Sequence, residues 1–247
     1  MNFSAARLTL SALLASCAAT SASAQDIPTG PVSLSGGVDL VSEYRFRGLS
    51  RSGGDVAVQP HVTISHANGL YVGGWGSNID DARGFGDVEL NLYGGYGLDV
   101  APGTALDLGL TYYWHPDAPA ARGASDYAEA NARLSYMLGP VEASGSLGYA
   151  WDQAALGDDN LRLGVDLAAA IPTTPVTLKA SLGRNDGGLA ALAPGQRYWD
   201  WSIGATTNIG PFVAGVQYVD TDIPMTGDKA RDKFYDAGVL LTLGLYF

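Results

Sequence analysis

The chain has 247 residues, 14 Lys+Arg against 25 Asp+Glu, a formal charge of −11, 47% apolar residues and only 16% charged ones. The acidic balance excludes a nucleic-acid binder, which needs a basic face to displace counterions, and the apolar content excludes a disordered chain. A single Cys excludes a disulfide scaffold and a CxxC metal site.

Residues 1–24 read as a secretory signal peptide. Arg7 is the one charge before the apolar run Leu8–Ala19, and Ala22-Ser23-Ala24 supplies small residues for cleavage before Gln25. Leu14-Ala15-Ser16-Cys17 also resembles a lipoprotein box, but the apolar run continues past it to a good conventional site. Cleavage after Ala24 is therefore expected, leaving 25–247 with no Cys, one basic group fewer and a charge of −12. No later apolar run approaches the ~18–20 residues of a spanning helix. A soluble periplasmic protein and an outer-membrane barrel remain.

The mature segments alternate. Leu34, Gly36, Val38 and Leu40 interleave with Ser35, Gly37, Asp39 and Val41. Val56–His66 is interrupted by Pro60, which removes a ladder donor, and Leu70–Asn78 is Gly-rich and ambiguous in phase. Val88, Leu90 and Leu92 then alternate with Asp87, Glu89 and Asn91, and Leu106–Trp114 does the same. Val141–Trp151, Leu161–Ile171, Val176–Gly183 and Tyr235–Phe247 repeat the pattern. Period two sends one set of side chains to each face of a strand. At 47% apolar, six in strict alternation arise by chance in about one window in a hundred.

Turn signals punctuate these segments: Gly30-Pro31, Asn68-Gly69, Pro102-Gly103, Gly139-Pro140, Pro172–Pro175 and Gly210-Pro211. Between them lie looser polar breaks at 48–55, 79–86, 116–125, 152–159, 186–197 and 221–233. Tight turns alternating with longer loops, without a repeated side-chain motif, predict an all-β, antiparallel up-and-down transmembrane barrel of about twelve strands. The aromatics at segment ends (Tyr44, Phe46, Tyr112, Trp114, Tyr149, Trp151, Tyr198, Trp199, Trp201, Phe212, Tyr235) are expected in interfacial girdles. Tyr44 and Phe46, in phase with Leu40, are expected on the lipid face. The alternating set Tyr235, Val239, Leu241, Leu243, Leu245 and Phe247 resembles the terminal signal read by the outer-membrane assembly machinery.

The opposite phase supplies candidate pore-lining charges: Asp39, Glu43, Arg45, Arg47, Asp87, Glu89, Asp107, Glu129, Arg133, Glu142, Arg162, Asp166, Lys179, Asp200 and Asp236. Twelve strands leave either a narrow channel or a filled interior. The acidic excess predicts weak cation selectivity; the competing reading is a structural salt-bridge ladder. No cofactor or metal is expected, because Asp80-Asp81, Asp158-Asp159 and Asp220-Thr221-Asp222 lack EF-hand spacing. A barrel hydrolase is the weaker alternative, since His61, His66 and His115 form no alternating pair with a nucleophile. The expected partners are outer-membrane lipids, the assembly machinery and small hydrophilic solutes.

Ser42-Glu43-Tyr44-Arg45-Phe46-Arg47-Gly48-Leu49-Ser50, Ala57-Val58-Gln59-Pro60 and Gly69-Leu70-Tyr71-Val72-Gly73-Gly74-Trp75-Gly76-Ser77-Asn78 follow one another over residues 42–78. This resembles the TorF-type porin family of proteobacteria. The resemblance implies an outer-membrane barrel and supplies no substrate. Pro60 stands where a small residue or Gly is expected.

Overall fold

The computed structural model describes residues 30–80 and 84–247; the expected signal peptide and Asp81 lie outside them. The chain forms β1 (Val32–Val41), a short ribbon β2 (Arg45–Phe46) and β3 (Leu49–Ser50), then β4 (Ala57–His66), β5 (Leu70–Asn78), β6 (Val88–Ala101) and β7 (Thr104–Trp114). It continues through β8 (Tyr127–Leu138), β9 (Val141–Ala150), β10 (Asn160–Ala170) and β11 (Val176–Gly187). β12 (Arg197–Ile209), β13 (Phe212–Thr221) and β14 (Gly238–Tyr246) complete it. All except β2 and β3 join one closed antiparallel barrel of twelve strands. Each pairs with its chain neighbour, and β1 pairs with both β4 and β14. The closing seam runs from Gly37 opposite Tyr246 to Val41 opposite Thr242. Gly36 and Phe247 then exchange backbone hydrogen bonds at 2.9 and 3.0 Å. Closure leaves no sheet edge, the condition for strands to cross hydrocarbon.

The alternation decides which side faces out. Every barrel strand exposes large apolar side chains, among them Leu34, Val62, Val72, Leu92, Leu108, Leu134, Leu147, Val165, Leu178, Ile203, Val216 and Leu243. The buried set of the opposite phase is rich in polar groups (Asp39, Gln59, Thr63, Glu89, Asn91, Asp107, Thr111, Glu129, Asn131, Ser144, Lys179, Asp200 and Ser202) beside the aromatics Trp75, Tyr93, Tyr113 and Tyr127. A soluble sandwich would have the reverse, and so continuous an exposed apolar belt matches a lipid-facing wall. Turns at 67–69, 102–103, 139–140, 171–175 and 210–211 gather at one end; loops at 42–56, 79–87, 115–126, 151–159, 188–196 and 222–237 gather at the other.

Pro60 is accommodated on the outward face of β4, opposite Val38. The β4–β5 ladder begins only at His61. Beyond it Asn78 substitutes for the ladder: its side chain accepts from the Val58 N–H at 2.8 Å and donates to the Val56 carbonyl at 3.0 Å. In β5 a Cβ at Gly73 would stand 2.5 Å from the Tyr93 ring, so glycine makes room for an inward aromatic.

The terminal strand is shorter than its alternation. Val239, Leu241, Leu243, Leu245 and Phe247 stand exposed in one phase on and just beyond β14, whereas Tyr235 lies in the 222–237 loop, 1% exposed. The loop carries it inward, where its hydroxyl donates to Asp232 at 2.7 Å.

Candidate functional site

The lumen is crossed at its looped end by the 42–56 segment. β1 ends at Val41, and the Ser42 hydroxyl accepts from the Leu241 N–H at 2.9 Å as the chain leaves the wall. β2 and β3 then form a ribbon around Arg47 and Gly48, with φ of 55° and 78°. Two positive φ angles in succession make the tight turn that suits a twisted ribbon. The tip is seated closely: a Cβ on Gly48 would come within 2.6 Å of Thr221 and 3.0 Å of Asp200.

Both walls hold this cross-bar. Arg47 donates through one guanidinium nitrogen to both carboxylate oxygens of Glu129 on β8, at 2.6 and 2.7 Å. Its carbonyl accepts from the Tyr198 hydroxyl of β12 at 2.9 Å. Burial works against the Arg47 charge, but Glu129 together with Tyr113 and Tyr127 offsets it and keeps the guanidinium protonated. Arg45 donates to Glu43 at 3.0 Å and to the Asp236 carboxylate at 3.2 Å. Tyr44 stacks edge-on against Trp75 at 5.3 Å, and Phe46 against Tyr113 at 5.7 Å. Tyr44 also donates to Glu89 at 3.2 Å. A second apolar cluster ties Leu49 to Ala190, Ala193, Tyr198, Ile223, Phe234 and Tyr235 in and beside the outer loops.

These contacts correct four aromatic expectations. Tyr44, Phe46, Tyr198 and Tyr235 are not girdle residues; each is 7% exposed or less and packs inside the mouth. The apolar ribbon finds inward-facing aromatics there, which satisfy it as well as lipid would. Tyr112, Trp114, Tyr149, Trp151, Trp199 and Phe212 do stand exposed on the outer wall, and Trp201 is half-buried.

Beside and below the cross-bar lies a cavity of about 170 Å³ along β1 and β10–β14. Asp39, Glu43, Asp166 and Asp200 line it against Arg45, Arg47, Arg162 and Lys179. Arg162 grips Asp200 at 2.5 and 3.2 Å, and Asn185 donates to the same carboxylate at 2.8 Å. Tyr246 donates to Asp39. Arg133 lies 3.6 Å from Glu142 and 3.5 Å from Asp166, all half-buried. Asp107 accepts from Tyr71 at 2.8 Å. Thus Asp39, Glu89, Asp107, Glu129, Arg133, Glu142, Arg162, Asp166, Lys179 and Asp200 sit on inward phases of barrel strands. Glu43, Arg45 and Arg47 reach the lumen from the cross-bar instead. Asp87 and Asp236 do not line it: both lie in outer loops, where Asp87 is exposed and offers its N–H to Asp117 at 2.9 Å. Arg51, inside the polar break at 48–55, is also buried here: it is 5% exposed with its guanidinium 4.8 Å from the Phe85 ring centre, and no alternation in that break marks it in the sequence.

The histidines stand apart from one another. His66 accepts from the Asn68 N–H at the 67–69 turn, at 3.1 Å. His61 lies 5.8 Å from the Tyr246 ring. His115 is buried, 3.8 Å from Glu89 and 3.7 Å from Asp126. Among the described residues none hydrogen-bonds to a Ser, Thr or Cys side chain, which a nucleophile–base pair requires.

Residues 25–247 match a family described as a bacterial protein of unknown function, Gcw_chp. The chain belongs to the Gcw_chp family. No curated protein matches it in sequence. Among solved structures, the Gcw_chp chain is similar to the NanC porin, with a TM-score of 0.57, 11% identity and coverage of 85% of this chain and 98% of that one. It is also similar to the KdgM porin, with a TM-score of 0.57, 6% identity and coverage of 86% and 98%. A KdgM structure in complex with disordered oligogalacturonate gives a TM-score of 0.56 at 6% identity, covering 87% and 97%. At such identities the likeness is one of fold: this Gcw_chp chain is a closed twelve-stranded barrel similar in fold to these porins, while the lumen must be read from its own residues.

Proposed function

We propose that this Gcw_chp chain is a narrow passive channel of the bacterial outer membrane, exported with cleavage after Ala24, for small hydrophilic solutes. The observation that carries the reading is the incompletely filled, charge-lined lumen inside an apolar-belted barrel. The cavity of about 170 Å³ is smaller than the ~300–1,000 Å³ of sites for drug-sized ligands, which favours ions and small polar molecules. The cavity faces four acids and four bases, and on the neighbouring lumen wall Asp107 and Glu142 stand against Arg133 alone, so the acidic excess is small and the preference is weak and for cations. Such a mixed lining does not favour an acidic oligosaccharide. The 42–78 motifs support placing the chain with TorF-type porins, and the outward phase of Val239–Phe247 supports recognition by the assembly machinery. The channel needs no cofactor and performs no covalent chemistry.

A second reading, a sealed structural or receptor barrel, is favoured by the cross-bar and its Arg47–Glu129 clasp. Liposome swelling with the refolded protein separates the two. Entry that falls with solute size is expected for the channel; no entry of even the smallest sugars or amino acids overturns it.

A further inference from the structure

The looped end of β7 carries a buried group the channel does not use. The His115 side chain is fully buried, and among the described residues neither of its ring nitrogens has a hydrogen-bond partner. Nε2 faces Glu89 of β6 at 3.8 Å, and Nδ1 faces Asp126, the residue before β8, at 3.7 Å. A neutral imidazole fits poorly between two carboxylates: one nitrogen carries the proton and the other turns a lone pair toward an anion. An imidazolium donates from both. Charge-assisted N–H···O contacts settle at about 2.7–2.9 Å, so each gap would close by roughly 1 Å.

The surrounding elements bear on that choice. Glu89 accepts from the Tyr44 hydroxyl at 3.2 Å and the Asn91 amide at 3.0 Å through Oε1, which leaves Oε2 turned to His115. The charge of Arg51, just past β3, also acts on Glu89. The Phe85 ring attends both cations, with its centre 5.0 Å from the imidazole and 4.8 Å from the guanidinium. Arg47 and Glu129 are spent on one another. Asp117 accepts from the Asp87 and Val88 N–H groups, and Asp80 pairs with Lys233. Tyr113 and Tyr127, in the same cluster, are uncharged near neutral pH. Glu89 and Asp126 therefore favour a charged His115, and Arg51 alone opposes it.

The two carboxylates hold different parts of the mouth. Glu89 is the wall post on which Tyr44 of the cross-bar hangs. Asp126 closes the neck of the 115–126 loop, where it accepts from the His115 N–H at 2.8 Å and the Tyr112 hydroxyl at 3.2 Å.

We propose that His115 is a proton-operated staple between the 115–126 loop and the cross-bar: the imidazolium ties Asp126 to Glu89 and stills both segments, and the neutral ring releases them. Histidine changes charge between pH 5 and 8. The protonated form gains the partners, so the added order is present in acid and is lost as pH rises. The staple acts whatever passes the lumen; its effect on current rests on the channel reading above.

The test is hydrogen exchange in the refolded full mature barrel at pH 5.5 and 7.5, with exchange times scaled for intrinsic base catalysis. Peptides covering 42–56 and 112–126 are read. In the wild type both are expected to be better protected at pH 5.5, by roughly tenfold, the factor one charge-assisted hydrogen bond supplies. His115→Gln should be protected equally at both pH values. Asp126→Asn keeps an acceptor for the His115 N–H but not the charge, and should lose most of the difference over 112–126; it decides the matter should His115→Gln not fold. Wild-type protection that ignores pH, or a pH response that survives in both variants, overturns the proposal. In planar bilayers, open-channel current noise should rise from pH 5.5 to 7.5 in the wild type and stay level in His115→Gln; an equal rise in both overturns the link to current. A barrel that conducts nothing at either pH sinks the channel reading, and the exchange result still decides the staple.

Discussion

Arg47 ties its cross-bar to two walls at once, and its backbone conformation is part of the device. A non-glycine residue at φ 55° costs about 1–3 kcal/mol and persists only where its surroundings hold it. Glu129 and Tyr198 provide that hold. Glu129 is 1% exposed and Arg47 7%, so removing one partner leaves the other charge uncompensated, at a cost of about 3–5 kcal/mol when buried. Glu129→Gln is therefore expected to lower the denaturant midpoint of the refolded barrel, and Arg47→Met with Glu129→Gln to recover part of the loss. A double variant no better than Glu129→Gln would refute the charge argument. A second residue-scale device sits in the 222–237 loop. Asp232 accepts from the Thr226 hydroxyl at 2.7 Å, from the Thr226 and Gly227 N–H groups at 2.9 and 2.8 Å, and from Tyr235 at 2.7 Å. The Thr226 hydroxyl leads in holding its carboxyl at about 2, below the ordinary 3.8. A depressed folded-state value contributes stability that is present above about pH 4 and is lost as pH falls through about 2. Protease nicking of this loop should rise over that window in the wild type, and Asp232→Asn should be nicked readily at neutral pH. A wild type nicked equally at pH 2 and pH 6 by an acid-tolerant protease would contradict it.

The strands themselves were legible because lipid imposes a strict alternation that composition alone rarely produces. Leu161, Leu163, Val165 and Leu167 are all exposed, and Arg162 and Asp166 point inward, as their phases require. The polar breaks fell within a few residues of the loops because Gly and Pro mark the tight turns at the other end. The ribbon of β2 and β3 was not legible as an internal element. Tyr44 and Phe46 continue the phase of Leu40, and an apolar side chain is equally satisfied by hydrocarbon or by Trp75 and Tyr113. What distinguishes the cases is where the wall ends, and the Ser42–Leu241 contact that ends it lies 199 residues apart in sequence. A separation of 191 residues likewise hides Asp236, which meets Arg45 only after closure. The face assignment has its own check in β10. Leu163→Arg places a cation on the lipid side, 47% exposed in the wild type, and is expected to cost about 2–4 kcal/mol near mid-bilayer. Gly164→Ser next to it meets only the Ser146 hydroxyl, at 2.5 Å, which can rotate away. Refolding yields that fall alike for the two variants would undermine the face assignment of the strand.

At the scale of the molecule, a barrel that wears its apolar residues outside must stabilise its interior by other means, and this one uses ion pairs and aromatic packing around a cross-bar. That division leaves the two sides of the lumen unlike. The β4–β9 side is filled by Tyr44, Phe46, Trp75, Tyr93, Tyr113 and Tyr127. The β1 and β10–β14 side keeps the cavity. Any conducting path therefore runs past Asp39, Arg162, Asp166, Lys179 and Asp200, and its selectivity is set by a small difference between opposed charges. Removing one of them should move the reversal potential measurably. In planar bilayers under a salt gradient, the wild type is expected to prefer cations weakly; Lys179→Gln should strengthen that preference, and Asp166→Asn should weaken or invert it. Raising the salt toward 1 M shortens the screening length to about 3 Å and should shrink all three differences together. Identical reversal potentials for Lys179→Gln, Asp166→Asn and the wild type at low salt would mean that ions do not pass this side of the lumen.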